Sequence, residues 1–529
     1  NMPGGSDYME KDVLQAVRDG KLPESCVDDS ARRVLKLVFR AAETLSKKAV
    51  CDYEAHHALA KRAAAEGAVL LKNEGGILPL MQDAKIAVIG AMAKKIRYQG
   101  AGSSHINPTG LSQPLDFLPD AVYAPGCDDR GDTTDALLDE ARAAAEQAEV
   151  AVIFAGLPDR YESEGFDRND MKMPAGHLRM IETAASANSN TIVVLLCGSA
   201  VECPWADRVK AVLYMGLPGQ AGGEAIAELL YGRVNPSGKL AESWPFAYGD
   251  VPSSEVYSKT ADALYQEGVY VGYRYYDKAG VPVRWPFGYG LSYTEFSYSD
   301  LTVNGDTVSV TVQNTGKCAG AEVAQLYVRA PQDGLHRPLR ELKGFQKVFL
   351  QPGESQTVTF ALTDRSFAVW QDGWKVPGGT YTVCGGGLTA SIEKPGETLP
   401  APAWQKGSWY ERCTGKPKQA DWKAMLGRKY TPPVLKKGSF TMDNTVMEMK
   451  DYSLIMKIMF KAVEATVAKG YGGKKDYENP NFRMQMASSA GAPIRSMMIS
   501  GGMKGGVLPG MLEMANGHFF RGIWKMIKG

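Results

Sequence analysis

Three carboxylates and an arginine fall within eight residues, Tyr161-Glu162-Ser163-Glu164-Gly165-Phe166-Asp167-Arg168. Carboxylates this close disfavour one another's ionisation, so one of them is expected to titrate above the ordinary range. A carboxyl group still protonated near neutral pH can serve as a general acid. The loop follows an apolar run, Val150-Ala151-Val152-Ile153-Phe154-Ala155-Gly156, that reads as a buried strand. In α/β sheets the edge where such strands end is where sites tend to be built. A solvated acidic loop is the alternative reading of the same residues.

A second candidate segment is Gln99-Gly100-Ala101-Gly102-Ser103-Ser104-His105-Ile106-Asn107-Pro108. It follows the strand-like run Lys85–Gly90, and its small residues allow backbone and hydroxyls close to a ligand. The spacing is not G-x-G-x-x-G and no G-K-[ST] is present, which argues against a nucleotide. Ser103 also lacks the G-x-S-x-G elbow of a serine nucleophile. Recognition of neutral hydroxyls by Ser103 and Ser104, as for a sugar, fits better.

These loops need a scaffold, and the pattern around them supplies one. From about 55 to 245 apolar strands at 85–90, 150–156, 191–196 and 211–215 alternate with helices at 135–149, 176–187 and 221–231. That alternation implies βαβ units and a mainly parallel sheet covered on both faces. Near 295 the period changes to two, with Val308, Val310 and Val312 alternating with Ser309 and Thr311. Short strands at 323–328, 345–350, 356–361 and 380–384 complete a β-sandwich. Residues 1–50 read as two amphipathic helices, the end of something larger.

Beyond 397, after Pro400 and Pro402, lie most of the 22 methionines. Val446–Lys469 reads as one helix with Met456, Met459, Phe460, Val463 and Val467 on one side. The terminal stretch 518–528 is basic and amphipathic. It suits a membrane surface or partner groove, or a tail docked on its own protein or a second copy. Met-rich stripes that fill packing gaps favour docking.

Five hundred and twenty-nine residues suggest three or four domains. The net charge of +1 implies no nucleic-acid or anionic-membrane partner. No apolar run reaches spanning length, and the six histidines lack metal-ligand spacing. Eight scattered cysteines, with Cys197 and Cys384 in strand-like runs, suggest reduced core thiols and a cytoplasmic compartment.

Glu162–Arg168 resembles the acid/base loop of family 3 glycoside hydrolases. Five further segments resemble the same family in the same order: Gly67–Glu74, Gly75–Leu80, Asn235–Leu240, Val269–Asp277 and Phe287–Thr294. With a weaker likeness at the start, the resemblance covers about residues 1–393. It implies four parts: the end of a (β/α)₈ barrel over 1–50, an α/β sandwich domain over 51–292, a fibronectin type III-like domain over 293–396 and a helical Met-rich extension over 397–529. It implies a retaining, exo-acting β-glycosidase, foremost a β-glucosidase acting on terminal non-reducing β-D-glucosyl residues, with no cofactor. The family's Glu-Gly pair falls on Glu164-Gly165, making Glu164 the implied general acid/base and Glu162 the alternative. Asp167 and Arg168 are expected to brace the loop through an ion pair. The family's glycine-serine falls on Gly102-Ser103, implying that Ser103 contacts sugar in the first subsite.

One part of the family pattern is missing. Its nucleophile is an aspartate in a Ser-Asp-Trp type motif, and no such motif occurs here. Asp7, in Gly5-Ser6-Asp7-Tyr8, falls after that position. A retaining mechanism needs two carboxyls about 5–5.5 Å apart. The chain is therefore expected to be a fragment of a longer enzyme, to be completed by a separate barrel-bearing chain, or to be an inactive remnant that binds carbohydrate. The start at Asn1, inside a supersecondary unit, favours the first. A β-xyloside or β-N-acetylglucosaminide substrate, a non-catalytic scaffold and a homodimer stay open.

Overall fold

A computed structural model describes residues 7–45, 47, 50–259, 262–500 and 506–528, with backbone only at 7–9 and 498–500. The two expected N-terminal helices are α1 (Asp7–Arg18) and α2 (Glu24–Leu45), turned at Gly20, whose φ is +69°. The segment Asn1–Ser6 lies outside the described residues, and Asp7 opens α1. Their apolar stripes face outward: Val13, Leu14, Val34, Leu35 and Val38 are exposed, and none of the described residues of α2 is buried. Helix α3 (Tyr53–Gly67) is capped by Asp52, whose carboxylate accepts from the Ala55 N–H.

A six-stranded sheet follows: β1 (Val69–Asn73), β2 (Ile86–Ile89), β3 (Val122–Ala124), β4 (Val150–Gly156), β5 (Thr191–Leu196) and β6 (Ala211–Tyr214), in the order β1-β6-β5-β4-β2-β3. Neighbours are parallel except β1, which runs antiparallel to β6. The sequence pattern revealed four of these strands. It missed β1, broken by a bulge between Leu70 and Lys72, and β3, only three residues long with Val122 exposed. Both are too short or irregular to show a period.

Every residue of β4 and β5 is buried because helices cover both faces. Ala151, Ile153 and Ala155 pack with Val193 and Leu195 beneath α4 (Asp135–Gln147) and α5 (Ala175–Ala187). Val152, Phe154, Ile192 and Val194 pack on the other face beneath α6 (Gly222–Leu230). From β2 the chain steps outward to β3, then crosses back over β2 to β4. The connections leaving β2 and β4 therefore diverge, which opens a crevice at their carboxyl ends.

Beyond the sheet come a small ribbon, β7 (Trp244–Pro245) with β8 (Val283–Trp285), and α7 (Tyr273–Ala279). The β-sandwich packs β9 (Phe296–Asn304), β10 (Thr307–Asn314) and β13 (Ser355–Ala361) against β11 (Gly320–Arg329), β12 (Arg340–Leu350), β16 (Gly379–Gly385) and β17 (Leu388–Lys394). A short hairpin, β14 (Val369–Trp370) with β15 (Trp374–Lys375), lies between β13 and β16. Alternation on β10 is as expected. Val308, Val310 and Val312 enter the core, while Ser309 and Thr311 face outward and pair with the hydroxyls of Thr359 and Thr357 at 3.0 Å. Cys197 is buried, but Cys384 is only half-buried because it shares the outward-facing side of β16 with Thr382.

The extension forms α8 (Trp409–Arg412), α9 (Gln419–Leu426), α10 (Val446–Met449), α11 (Leu454–Lys469), α12 (Pro480–Ser489), α13 (Ile494–Ser500), α14 (Val507–Ala515) and α15 (Phe519–Lys528). The helix expected over 446–469 is thus two. A capping box between Thr445 and Glu448 starts α10, and the Tyr452 and Ser453 N–H groups fold back to the Met449 carbonyl. Met456 and Met459 are buried, with Phe460, Val463 and Val467 at the margin of the same core. Helix α15 docks on α14 through Gly522 and Gly510, while Phe520, Trp524 and Ile527 stay exposed. Among the described residues no helix is long and apolar enough to cross a membrane.

The extension is tied to both preceding domains by rings. His336, in the loop after β11, meets Tyr270, Trp404 and Tyr410 at centroid distances of 5.2, 4.9 and 5.6 Å. Burial pushes its pKa down to about 4. His177 on α5 is likewise held neutral by burial, at about 4, even though Gly156 O, 3.0 Å away at the end of β4, favours its protonated form. A lowered histidine pKa means that the unfolded chain binds more protons below pH 6.5. Stability is therefore complete above pH 6.5 and is lost as pH falls towards 4, by about 3 kcal/mol for His177. Thermal unfolding of wild type and His177→Asn between pH 7 and 4.5 measures this. The variant is expected to show the shallower decline.

Candidate functional site

Three loops meet at the crevice, each leaving the carboxyl end of a parallel strand. Residues 97–107 follow β2, 157–174 follow β4 and 197–203 follow β5. The first two are the segments singled out by sequence, and the fold brings them together. The Glu164 N–H donates to Ala101 O at 3.1 Å. Glu164 Oε2 accepts from the Ser103 N–H at 2.6 Å and from Ser103 Oγ at 2.5 Å. Ser104 is exposed beside them.

Glycine makes this approach possible. Gly102 has φ +108°, and a Cβ there would lie 2.5 Å from Glu164 Cβ. Gly165 has φ +90°, a conformation L side chains rarely adopt.

The three carboxylates of the loop do not face one another. Glu162 turns towards the β5 loop, where its Oε2 accepts from the Gly198 N–H at 2.8 Å and its Oε1 from Ser199 Oγ at 2.7 Å. Asp167 accepts from Ser258 Oγ at 2.7 Å and from Tyr257 Oη at 3.2 Å. Arg168 donates to Ser199 Oγ at 2.7 Å and Ala200 O at 3.2 Å. Asp167 and Arg168 thus brace the loop separately, and among the described residues the expected ion pair between them does not form. Each finds a nearer partner on a different neighbouring segment.

Glu164 therefore carries a pKa below the ordinary carboxylate range, not above it, because the Ser103 hydroxyl and N–H both stabilise its charge. Among the described residues no protein donor reaches its Oε1. The result is an exposed carboxylate with one oxygen anchored and the other open to give or take a proton. Glu162 has both oxygens engaged, so of the two glutamates only Glu164 has an oxygen free for proton transfer.

Several supporting residues were invisible in the sequence. Arg97, buried, donates to Glu162 O at 2.8 Å and forms an ion pair with Asp159. Ser199, Tyr257 and Ser258 belong to segments with no motif. The extension, in which the sequence suggested no chemistry, also arrives here. Arg483 on α12 stacks on the Phe166 ring at 3.5 Å, and Met484 lies against Gly165.

Residues 68–273 match the glycosyl hydrolase family 3 C-terminal domain and residues 322–387 the fibronectin type III-like domain. The chain is 47% identical over 402 residues to thermostable beta-glucosidase B of Acetivibrio thermocellus, covering 72% of this chain and 53% of that protein. It is 41% identical to exo-alpha-(1->6)-L-arabinopyranosidase of Bifidobacterium breve, over 77% of this chain and 58% of that one. The crystal structure of a Bifidobacterium adolescentis GH3 beta-glucosidase superposes with TM-score 0.71 at 39% identity, covering 78% of this chain and 64% of that one. Beta-glucosidase 3B from Thermotoga neapolitana, in complex with glucose, gives 0.66 at 31% identity, covering 72% and 60%. The chain thus spans little more than half the length of these two curated relatives.

Ser103→Ala removes one of the two donors that hold the Glu164 charge. The Glu164 titration, followed by carboxyl carbon NMR, is expected to move upward in that variant, towards the ordinary carboxylate range.

Proposed function

This chain carries the C-terminal domain of glycosyl hydrolase family 3, and we propose that it supplies the general acid/base of a retaining, exo-acting β-glycosidase. The residue is Glu164, and the substrate is a terminal non-reducing β-D-glucosyl residue. One observation carries the reading: Glu164 and Ser103, implied separately by two motifs, meet across the β2/β4 crevice with the carboxylate open on one side. The beta-glucosidase names of relatives at up to 47% identity support it.

In the first half-reaction the protonated Glu164 gives its proton to the glycosidic oxygen as the bond to the anomeric carbon breaks. A second carboxylate attacks that carbon from the opposite face, about 5–5.5 Å from the first. We assign that carboxylate to the family's barrel aspartate, outside this sequence. In the second half-reaction the Glu164 carboxylate takes a proton from water, which then cleaves the glycosyl-enzyme. The lowered pKa of the Ser103-bonded state suits this second step. A bound glycoside that excludes water and draws the Ser103 hydroxyl to itself raises the pKa for the first.

The exposed stripes of α1 and α2 support a barrel as the missing neighbour, since amphipathic helices bury their apolar faces when fully assembled. A second sugar is favoured by one comparison, the arabinopyranosidase relative. An α-L-arabinopyranoside presents an equatorial anomeric bond, as a β-D-glucoside does, so the same acid geometry serves both.

The test is Glu164→Gln in the enzyme that joins this chain to its barrel. Hydrolysis of a disaccharide, whose leaving group needs protonation, is expected to fall about 10²–10⁴-fold. An aryl glucoside with a good leaving group is expected to lose far less in its first step. Disaccharide hydrolysis at the wild-type rate overturns the assignment.

A further inference from the structure

We infer that α12 of the C-terminal extension is a positioning element of this site, with Arg483 and Met484 holding the Glu164 loop against the Ser103 loop. The inference rests on the reading of Glu164 given above and adds a region to which no catalytic part was assigned.

The contacts are specific to the two loops. A Cβ on Gly165 would fall 2.7 Å from Met484 Cα, so the helix backbone itself lies on the residue after Glu164. A Cβ on Gly102 would fall 3.1 Å from Met484 Sδ and 2.7 Å from Glu164 Oε2. The sulfur therefore sits where the two loops touch, one residue from Ser103 and one from the helix contact with Gly165. Arg483 lies over the Phe166 ring at 3.5 Å and points Nη1 at Arg160 O, 3.4 Å away. One helical turn thus engages residues 102, 160, 165 and 166.

The helix is built to present that turn. Pro480 at its first turn and Asn479, whose side chain accepts from the Asn481 and Phe482 N–H groups, fix its start. Phe482, Met486 and Ala490 recur at i, i+4 and i+8 and are buried in the core of the extension. Arg483 and Met484 are half-buried, on the side turned to the catalytic loops. Holding the helix and holding the loops are therefore done by different residues, and the second can be removed without the first. Where α12 leaves the surface, a cavity of about 570 Å³ opens between Asp476–Pro480 and the segments Lys95–Gln99 and Pro158–Arg160. The extension thus forms a wall beside the site and touches the loops themselves through α12.

Both loops turn at positive-φ glycines, Gly102 and Gly165, a backbone with little stiffness of its own. A cation over an aromatic face and a thioether in a glycine-lined gap supply the restraint the loops lack. Glu164 is the catalytic residue in this scheme. Arg483 and Met484 act through it.

The experiment has two arms on the full chain joined to its barrel, with Arg483→Ala/Met484→Ala, Arg483→Lys and Gln485→Ala as a control on an exposed position of α12. Hydrogen exchange of peptides covering 99–107 and 161–168 is expected to accelerate about tenfold in the double variant and to stay at wild type in the control. The values of kcat/KM are expected to fall about tenfold for a disaccharide and less than about threefold for an activated aryl glucoside, with partial recovery in Arg483→Lys. Unchanged loop exchange, or equal losses on both substrates, overturns the inference. The two readings fail separately: Glu164→Gln without effect removes the acid assignment, while the exchange result concerns the clamp alone.

Discussion

The reversal of strand order between β2 and β4 is the constraint from which the rest follows. Adjacent parallel strands whose connections depart in opposite directions cannot close the space between their carboxyl ends with their own helices. Each must instead send out a loop, and the two loops find their hydrogen-bonding partners in each other. Glu164 N–H to Ala101 O and Glu164 Oε2 to Ser103 are the closure of that gap. A carboxylate placed there faces a cleft on one side and a donor pair on the other. The site is in this sense a product of topology before it is a product of particular residues.

The loop shows how local sequence density differs from spatial density. Three acids within eight residues suggest mutual repulsion. The backbone, turned by Gly165, distributes them to three neighbours: Glu162 to the β5 loop, Glu164 to the β2 loop and Asp167 to Tyr257 and Ser258. Two of the acids become anchors. The third is left with a spare oxygen because its one anchoring oxygen takes both donors of a single serine. Structural and chemical roles are thus divided among like residues by what lies within reach of each.

Much of this was legible beforehand. Long apolar runs such as Val150–Gly156 and Thr191–Leu196 announced the covered parallel sheet, and the alternation of Val308, Val310 and Val312 announced the sandwich. The motifs placed Glu164 and Ser103 in one site. The direction of the Glu164 pKa shift was not legible, because it depends on a hydrogen bond between residues 61 positions apart. Nor were Arg97, Ser199 or Tyr257, whose roles come from long-range packing and leave no periodic or compositional trace. The break between α10 and α11 lay hidden in a helix-compatible sequence, where the Tyr452 and Ser453 N–H groups turn back to the Met449 carbonyl instead of continuing the helix. The extension gave no hint of its destination, since a methionine suited to filling a core gap is equally suited to filling a gap between two loops.

The ring cluster at His336 has a consequence for how such a chain can change over evolutionary time. Its members come from the sandwich loop (His336), the sheet domain (Tyr270) and the extension (Trp404 and Tyr410), and no one part owns the cluster. Deleting or exchanging any of the three strips burial from the other two. The 132 residues beyond 397 are then less an appendage to an older scaffold than a commitment, and recombination that shuffles modules freely at flexible linkers meets here a joint it cannot cut cleanly.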